Sequence, residues 1–481
     1  MSQPKPAVAA VIFSQSWSGE ILTITRHPHL KAFPGHTAFP GGKVDDQDYK
    51  QAESHDSFGD LKRFLSSEFS NASFFTLLRE LNEELGIDLY SKDFSVLDLK
   101  LIGKATTPAF NPFRFETLFF GIVLDEESTR ILDRVQACKG EIYDYSFKTP
   151  RSHLEDYLNG DLLCVSPTLK LLESLAHKCA SQIPLPLDLN LHYDESKEVP
   201  FLETLHGLLQ LMPLSNTLPP AARTNAFYFY EDPKRRVLID PSPRDYEELE
   251  KLKFTLSRIH SDKKLDGPLV HEVFISHHHG DHYEYSHILA RELNASMGMS
   301  QRTFDLIKMA EGEQFFDGIN VIFYKDGDSF INYKSTEVKV WHTPGHASGQ
   351  ISLACVDKNW VFAGDLFQTM GSVVIDSHDG NMKSYLQSLL RVIEFSPKFC
   401  FPSHGLGVGG TKVLERIYQH RLEREQQVLD YLNHNNISPV DADVDAIFEA
   451  IYAREGLKEK LRPFALETIK SHLKKIIDQA D

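Results

Sequence analysis

The chain contains one hexapeptide built almost entirely from metal-ligand side chains, His277-His278-His279-Gly280-Asp281-His282. The apolar run Val-Phe-Ile at 273–275 precedes it, and the helix-like stretch 286–294 follows it. This order predicts a strand, a ligand-rich loop and a helix. Because imidazole and carboxylate are ligands that divalent metals accept, the hexapeptide predicts a metal site at a strand end. A solvated polyhistidine loop is the alternative that the hexapeptide alone leaves open.

Three further candidate ligands follow three later strand-like runs. Residues 338–342 lead through Thr-Pro-Gly to His346, the apolar run 360–364 ends at Asp365, and residues 398–401 lead through Pro-Ser to His404. Each of these residues, taken singly, reads as an ordinary core or loop residue. Together with the hexapeptide, in the order HxHxDH, H, D, H, they resemble the metallo-β-lactamase superfamily over about residues 199–410.

That resemblance implies an αββα sandwich with two zinc ions at one edge, and segments 224–228 and 237–241 would form its first hairpin. It assigns His277, His279 and His346 to the first ion and Asp281, His282 and His404 to the second, with Asp365 bridging. A hydroxide between the ions would be the nucleophile, since zinc lowers the pKa of bound water to about 7. We also name Asp281 as a candidate catalytic residue. Iron or manganese is the alternative to zinc.

Length and composition indicate several globular domains. At 481 residues the chain suggests about three, and its 41% hydrophobic and 25% charged content are typical of proteins with real cores. A net charge of −17 argues against a chain-wide surface for polyanions, although a local basic groove stays open. With no apolar leader and no span of membrane length, we expect a cytoplasmic protein without a membrane partner. The cysteines lack CxxC spacing and are expected to be reduced core residues: Cys138, Cys164, Cys179, Cys355 and Cys400.

A second metal site is predicted near the amino terminus. After two strand-like runs and a Gly- and Pro-rich loop at 33–43, the chain reaches Arg-Glu-Leu-Asn-Glu-Glu-Leu-Gly-Ile at 79–87. Glu80, Glu83 and Glu84 lie at helical offsets of three and four and share one face. Like charges on one patch repel unless a cation is present, and carboxylates favour Mg²⁺ or Mn²⁺. A solvated acidic helix is the alternative.

The segment resembles the second half of the Nudix box, GX5EX7REUXEEXGU, with Gly42 as its first glycine. The chain departs from the box in two ways: Asp48 replaces its first glutamate, and an insertion at about 49–78 lengthens its spacer. The insertion and the preceding loop are similar to the branch that contains the peroxisomal coenzyme A diphosphatases. This resemblance implies that metals bound at the glutamates activate water against a diphosphate. We expect reduced or altered Nudix activity, because the Asp48 side chain is one methylene shorter than the glutamate of the box.

The resemblance to the Nudix family supplies further candidate roles. We name Glu80, Glu83 and Glu84 as its metal ligands and Glu83 and Glu84 as catalytic residues. Gly41, Gly42 and Arg79 are the candidate substrate-binding residues. Glu116 is a weaker candidate for an extra ligand or base, with a surface position on an edge strand as its alternative.

The predicted organisation is an α/β multidomain chain. A Nudix α/β/α sandwich at 1–185 is followed by a proline-punctuated linker at 186–198, the metallo-β-lactamase sandwich at 199–410 and a helical tail at 411–481. The amphipathic helix of the tail resembles the group of the mitochondrial lactamase-like endoribonuclease and glyoxalase II, so we expect a winged-helix-like tail without evident wing strands. Arg421 and Arg424 would then pair with Glu423 and Glu425 at the surface rather than touch a phosphate.

Three functions remain open at this point. The first is a bifunctional hydrolase whose Nudix half cleaves a nucleotide diphosphate such as coenzyme A, and whose other half cleaves an ester, thioester or phosphodiester of an acyl-CoA-like substrate. The second is a single-stranded RNA endoribonuclease with the Nudix half as a nucleotide-binding module, which the acidic net charge disfavours. In the third, the Nudix half senses a nucleotide without cleaving it. The sequence leaves the oligomeric state open.

Overall fold

The computed structural model describes residues 3–53, 55–132, 140–178, 180–452 and 461–480. Cys138 and Cys179 lie outside these ranges, whereas Cys164, Cys355 and Cys400 are buried free thiols. The chain divides into two compact units, residues 1–193 with 202–206 and residues 194–201 with 207–481. The first unit therefore continues beyond the proline-punctuated stretch, because Leu187–Asp188 forms a strand of its sheet.

The first unit is built on one mixed sheet in the order β3-β2-β1-β5-β4-β7, with β6 paired to β2. Its elements are β1 Lys5–Ser14, β2 Ile21–Arg26, β3 Thr37–Ala38, α1 Asp46–Ala52, a 3-10 helix His55–Phe64, α2 Asn71–Leu85, β4 Val96–Thr106, β5 Phe115–Leu124, α3 Glu126–Leu132, β6 Ile142–Lys148, α4 Pro150–Leu158, α5 Ser166–His177, a 3-10 turn Ala180–Gln182 and β7 Leu187–Asp188. Both faces of this sheet are covered by helices.

Strand β1 shows why the layers form. Its side chains alternate between the two faces of the sheet, as extended backbone requires. Val8 and Ile12 join a core with Leu77 of α2, while Val11 joins the opposite core with Leu171 of α5. The strand is thus apolar on both faces, and the layering is α/β/α, as predicted from the sequence.

The second unit contains two stacked sheets, ordered β14-β13-β12-β11-β10-β9 and β15-β16-β17-β18-β19-β20. Its elements are β9 Leu208–Leu211, β10 Ala226–Phe229, β11 Val237–Ile239, α6 Tyr246–Asp262, β12 Glu272–Phe274, α7 Gly280–Tyr283, α8 Ser286–Leu293, β13 Ser296–Met299, α9 Gln301–Glu311, a 3-10 turn Glu313–Phe316, β14 Val321–Phe323, β15 Ser329–Tyr333, β16 Thr336–His342, β17 Ile351–Cys355, β18 Trp360–Gly364, α10 Met382–Phe395, β19 Phe399–Pro402, β20 Val408–Gly409, α11 Lys412–Asn435, a 3-10 turn Pro439–Asp441, α12 Val444–Ile451 and α13 Arg462–Ala480. Strand β8, Phe201–Leu205, has residues in both units.

Aromatic side chains join the two sheets of the second unit. Phe227 of β10 packs edge-on against Phe362 of β18 and Phe401 of β19, at ring separations of 5.4 and 5.8 Å. The outer face of the first sheet packs on α6, α8 and α9, and that of the second packs on α10 and α11. This is the αββα sandwich expected from the sequence.

The chain's last helices form a small bundle within this second unit. Buried apolar residues of α11, α12 and α13 pack together, among them Val428, Phe448 and Ile469. The amphipathic helix predicted in the tail is observed as Lys412–Asn435. No strand occurs among the described residues after 411, so what the structure shows of the tail is helical and has no wing.

Candidate functional site

The seven candidate ligands of the second unit converge at one edge of the sandwich. They leave the carboxyl ends of β12, β18 and β19 and the loop after β16, and three overlapping groups have ligand atoms within 4.8 Å of one another: His277, His279 and His346; His277, His282 and Asp365; Asp281, His282 and His404. Within the first group, His279 Nδ1 lies 3.1 Å from His277 Nε2 and 2.8 Å from His346 Nε2. Ligand atoms of a tetrahedral zinc ion lie about 3.4 Å apart, so this spacing fits a metal.

Asp365 connects the ligand groups. Its Oδ2 lies 3.7 Å from His282 Nε2 and 3.5 Å from the Nε2 atoms of His346 and His404. On the far side, Asp281 Oδ2 lies 3.4 Å from His404 Nε2. Asp365 is thus placed between two ligand sets, which is the position of a bridging carboxylate.

Outer hydrogen bonds fix the orientation of four of the five rings. In each case Nδ1 bonds away from the centre, which leaves Nε2 turned toward it. The partners are Ser276 Oγ for His277 at 3.0 Å, Asp240 Oδ2 for His282 at 2.9 Å, the Val374 carbonyl for His346 at 2.8 Å and the Arg223 carbonyl for His404 at 3.0 Å. The rings are therefore held in a ligating geometry by their surroundings.

Asp240, directly after β11, is a site residue that the sequence analysis missed. It is fully buried, with φ of 47°, and its two oxygens accept three hydrogen bonds. They come from the Ser276 amide at 2.7 Å, the Ser276 hydroxyl at 2.6 Å and His282 Nδ1 at 2.9 Å. The available signal was its position, because β11 and β12 are parallel neighbours and their carboxyl ends meet at one edge.

The histidines of the cluster differ in the direction of their pKa shifts. Burial lowers the pKa of His277 and, to about 3, that of His279. Burial also opposes the charged form of His282, but Asp281, Asp365 and Asp240 together raise its pKa well above the ordinary value. Among the described residues, His282 Nε2 and Asp365 Oδ1 are buried without a partner. Because buried polar atoms are normally satisfied, these two atoms favour a bound cation.

A cavity of about 630 Å³ opens beside this cluster. His279, Asp281, His346, Asp365 and His404 line one part of it, and the other lining residues include those of α11, α13, the 372–376 loop and the 217–220 segment. The tail helices thus help to enclose the site.

The two arginines of α11 were expected at the surface, and the structure shows that expectation to be wrong. Arg421 and Arg424 are only 5% and 9% exposed and line the cavity. Glu425 instead holds His472 and Lys475. The cause is the packing of α12 and α13 against the helix face that carries both arginines, which periodicity within α11 alone did not reveal.

The acidic helix of the first unit, α2, presents its three glutamates in different surroundings. Glu84 is buried and accepts the Gly41 amide at 2.7 Å, whereas Glu83 is exposed and bonds Arg79 at 2.8 Å. Burial raises the pKa of Glu84 to about 8, with neighbouring Glu80 adding to the rise. Among the described residues of this unit, no three ligand atoms lie as close as those in the second unit. The arrangement leaves Glu80 and Glu84 together facing the glycine loop.

The residues around that helix explain two features of the Nudix resemblance. Asp48 is fully buried, and its two oxygens hold the Arg79 guanidinium at 2.8 and 2.9 Å, so the shorter side chain still reaches its partner. Arg79, named as a substrate-binding candidate, is occupied by Asp48, Glu80, Glu83 and the Lys43 carbonyl.

The glycine loop approaches α2 very closely. A Cβ at Gly42 would lie 2.1 Å from the Glu80 carboxylate, and one at Gly41 would lie 2.2 Å from the Val8 carbonyl. These two positions therefore need glycine for close backbone approach.

Glu116 lies exposed on β5. The insertion contributes Phe58, which is buried against Phe74 at a ring separation of 5.3 Å.

Comparisons with known proteins agree with the geometry of the second unit. Residues 222–404 match the family model of the Metallo-beta-lactamase superfamily, which confirms the predicted fold for that segment. The Beta-lactamase-like protein 2 homolog of Drosophila melanogaster is 27% identical over 147 residues, covering 30% of this chain and 46% of the relative. The Hydroxyacylglutathione hydrolase of Brucella anthropi is 32% identical over 121 residues, covering 25% of this chain and 42% of the relative. The chain thus spans about half the length of the curated relatives it matches.

Solved structures also resemble parts of the chain. A beta-lactamase domain protein from Burkholderia ambifaria covers 60% of this chain and 90% of its own, with 18% identity and a TM-score of 0.49. A NUDIX hydrolase from Alicyclobacillus acidocaldarius covers 37% of this chain and 93% of its own, with 22% identity and a TM-score of 0.30. Among the described residues, no helix is both long and apolar enough to cross a membrane.

Proposed function

We propose that the second unit is a metal-dependent hydrolase of esters, thioesters or phosphodiesters, with an acyl-CoA-like small molecule as its substrate. The observation that carries the proposal is the convergence of seven His and Asp side chains at one buried edge, with four rings oriented from outside. The relative named Hydroxyacylglutathione hydrolase supports hydrolysis of an acyl compound. We place this chemistry in the cytoplasm.

Two divalent ions fit these residues. His277, His279 and His346 would hold one, Asp281, His282 and His404 the other, and Asp365 would lie between them. When bound, the ions would lower the pKa of a water to about 7 and offset negative charge that develops on the substrate. Imidazole-rich ligands favour zinc over magnesium, with iron or manganese as alternatives.

The protein's own side chains would orient the reaction. Asp281 and Asp365 lie 3.4 and 3.5 Å from His404 Nε2 and line the cavity, so their carboxylate oxygens would be available to accept a proton from a water there. For a thioester, water adds to the carbonyl carbon, the C–S bond breaks, and a carboxylate and a thiol leave.

For the first unit we propose Nudix-type cleavage of a nucleotide diphosphate linkage with Mg²⁺ or Mn²⁺. Glu80 and Glu84 face the glycine loop, and burial raises the pKa of Glu84 to about 8, so a divalent cation bound beside both carboxylates would favour their charged forms. Glu83 lies on the same helix and would join them as ligand and catalytic residue. The Asp48–Arg79 pair would brace this helix rather than bind substrate.

The decisive experiment is mass spectrometry of the products after incubation of the zinc-loaded protein with acetyl-CoA and Mg²⁺. Acetylated phosphopantetheine with 3′,5′-ADP is expected from the first unit, and free coenzyme A from the second. His279→Ala should abolish only the release of coenzyme A, and Glu84→Gln only the diphosphate cleavage, so each variant is the matched control for the other. Unchanged acetyl-CoA would contradict the substrate assignment and place short single-stranded RNA first.

A further inference from the structure

One buried cation lies in the wall of the cavity of the second unit. Arg421 of α11 lies in the wall of the cavity of about 630 Å³ that also contains the metal-ligand cluster, and it is 95% buried, being 5% exposed. Cavities of about 300 to 1,000 Å³ hold small-molecule ligands. The guanidinium therefore shares one enclosed space with the groups proposed to carry out hydrolysis.

The contacts of Arg421 leave its charge uncompensated. One nitrogen donates to the Val373 carbonyl, and the guanidinium lies over the Tyr385 ring, 5.8 Å from its centre. Its Nε is buried without a partner, and none of the described Asp or Glu residues forms an ion pair with it. A buried charge without a counter-charge costs several kcal/mol, so a native protein rarely keeps one without a use.

Two other carboxylates that line the same cavity are engaged by other partners. Glu467 accepts the Ser377 hydroxyl at 2.7 Å and pairs with Lys470 at 2.6 Å. Asp376 accepts the amides of His378 and Asp379 at 2.7 and 2.9 Å. An anionic ligand that enters the cavity is consequently the available partner for Arg421.

We propose that Arg421 is the recognition site for an oxyanion, a carboxylate or phosphate, carried by the non-reacting end of the substrate. The inference rests on the proposed hydrolase and names the substrate class for the same cavity. A planar guanidinium pairs with the oxygens of such a group through parallel N–H donors, and an enclosed site strengthens the pairing. The reacting bond would then lie at the ligand cluster and the anionic end at α11.

The test measures binding rather than turnover. Zinc-loaded full-length protein is titrated calorimetrically with 4′-phosphopantetheine and with pantetheine, which carry the same thiol and differ only in the phosphate. We expect the phosphate-bearing ligand to bind at least about tenfold more tightly, a preference typical of a charge-assisted pair. Arg421→Met should reduce that ratio below about threefold, whereas Arg416→Met, at an exposed position of the same helix, should leave it unchanged.

A second ligand pair distinguishes the two oxyanions. N-acetylcysteine and its neutral amide differ only in the carboxylate, so a preference in both pairs indicates general oxyanion binding and a preference in the first alone indicates phosphate. If Arg421→Met fails to fold, Arg421→Lys replaces it. Because lysine lacks the parallel N–H donors of the guanidinium, the ratio of the two affinities should fall at least about threefold. The proposal is overturned if the unaltered protein shows no preference or if the Arg421 variant keeps it. Since no turnover is needed, the result stands apart from any failure to hydrolyse acetyl-CoA.

Discussion

Replacement of Asp240 by asparagine tests whether the buried carboxylate sets the metal-binding form of His282. In the structure His282 Nδ1 lies 2.9 Å from Asp240 Oδ2 and Nε2 faces the ligand cluster, so in the metal-bound form Nδ1 would keep its proton for Asp240 and Nε2 would be the ligand atom. Asparagine has only one acceptor oxygen, and the Ser276 amide and hydroxyl compete for it at 2.7 and 2.6 Å. The amide NH₂ would then face Nδ1, and the ring would carry its proton on Nε2, where it blocks ligation.

The size of the effect follows from the number of ligands affected. Loss of an outer carboxylate typically lowers metal affinity about 10- to 100-fold, or about 1.4 to 2.7 kcal/mol. His282 belongs to two of the three ligand groups. We therefore expect the zinc ion held by Asp281, His282 and His404 to lose affinity toward the upper end of this range, with a smaller effect on the other ion.

The assay is chelator competition, with the zinc content of the protein measured at equilibrium. Asp245→Asn is the matched control, since Asp245 caps the amino terminus of α6 by accepting the Glu248 amide at 2.9 Å and otherwise accepts the Arg244 side chain at 3.0 Å, and asparagine caps equally well. Equal zinc affinity in Asp240→Asn and the unaltered protein would refute the role assigned to Asp240. An equal loss in both variants would refute its specificity.

Three further changes test other parts of the structure. The pKa of Glu84 is raised to about 8 from its ordinary 4.5, so its neutral form stabilises the metal-free first unit at low pH; that stability, at most about 5 kcal/mol, is lost as pH rises from about 4.5 to 8. Hydrogen exchange of α2 should show this loss, Mg²⁺ should reverse it and Glu84→Gln should abolish it. Ser471→Ala removes hydrogen bonds of 2.8 and 3.0 Å to the Ile375 and Asp376 carbonyls, and we expect a several-fold lower zinc affinity by chelator competition, with exposed Lys474→Ala unchanged. Phe58→Ala should destabilise the first unit by about 3 to 5 kcal/mol in urea unfolding, and no loss would show that Phe58 adds nothing to its core.

The sequence signals that bring the candidate ligands together are local. Each candidate ligand follows a short apolar run, and buried strands of a sandwich end at common edges, so residues such as Asp365 and His404 meet without any knowledge of the packing. The hexapeptide differs only in detail, since Gly280–Tyr283 forms one helical turn rather than a loop. Helix α8 ends at Leu293, where Asn294 adopts the left-handed conformation typical of a helix carboxyl end.

The sequence could not predict the groups that orient those ligands, because they are distant in the chain and two of them are backbone carbonyls. Nothing in the residues near position 374 or 223 marks their carbonyls as partners of His346 and His404. Burial of Arg421 likewise depends on how α11 meets other helices. Such features arise from tertiary packing, which the periodicity of residues within one element does not predict.

The replacement at position 48 shows how a local rule can mislead. Side-chain length alone predicts that aspartate falls short of its partner, but Asp48 lies in the first turn of α1, where its Oδ2 also accepts the Asp45 amide at 2.9 Å. That cap brings the backbone toward α2, and Thr76 adds a hydrogen bond at 2.9 Å. Asp48 thus reaches Arg79 despite the missing methylene, and the reduced or altered Nudix activity expected from the sequence stays a prediction.

The 373–377 loop couples the two ends of the cavity in the second unit. Val373 accepts Arg421 through its carbonyl, and the next carbonyl, that of Val374, accepts His346 Nδ1. Because these are consecutive peptide groups, an oxyanion that draws the guanidinium away from Val373 must also change the support of His346. Helix α13 resists this movement through its hydrogen bonds to Ile375 and Ser377. Binding of the substrate's anionic end and affinity for the metal should therefore be linked, and by thermodynamic reciprocity each should change the other by the same factor.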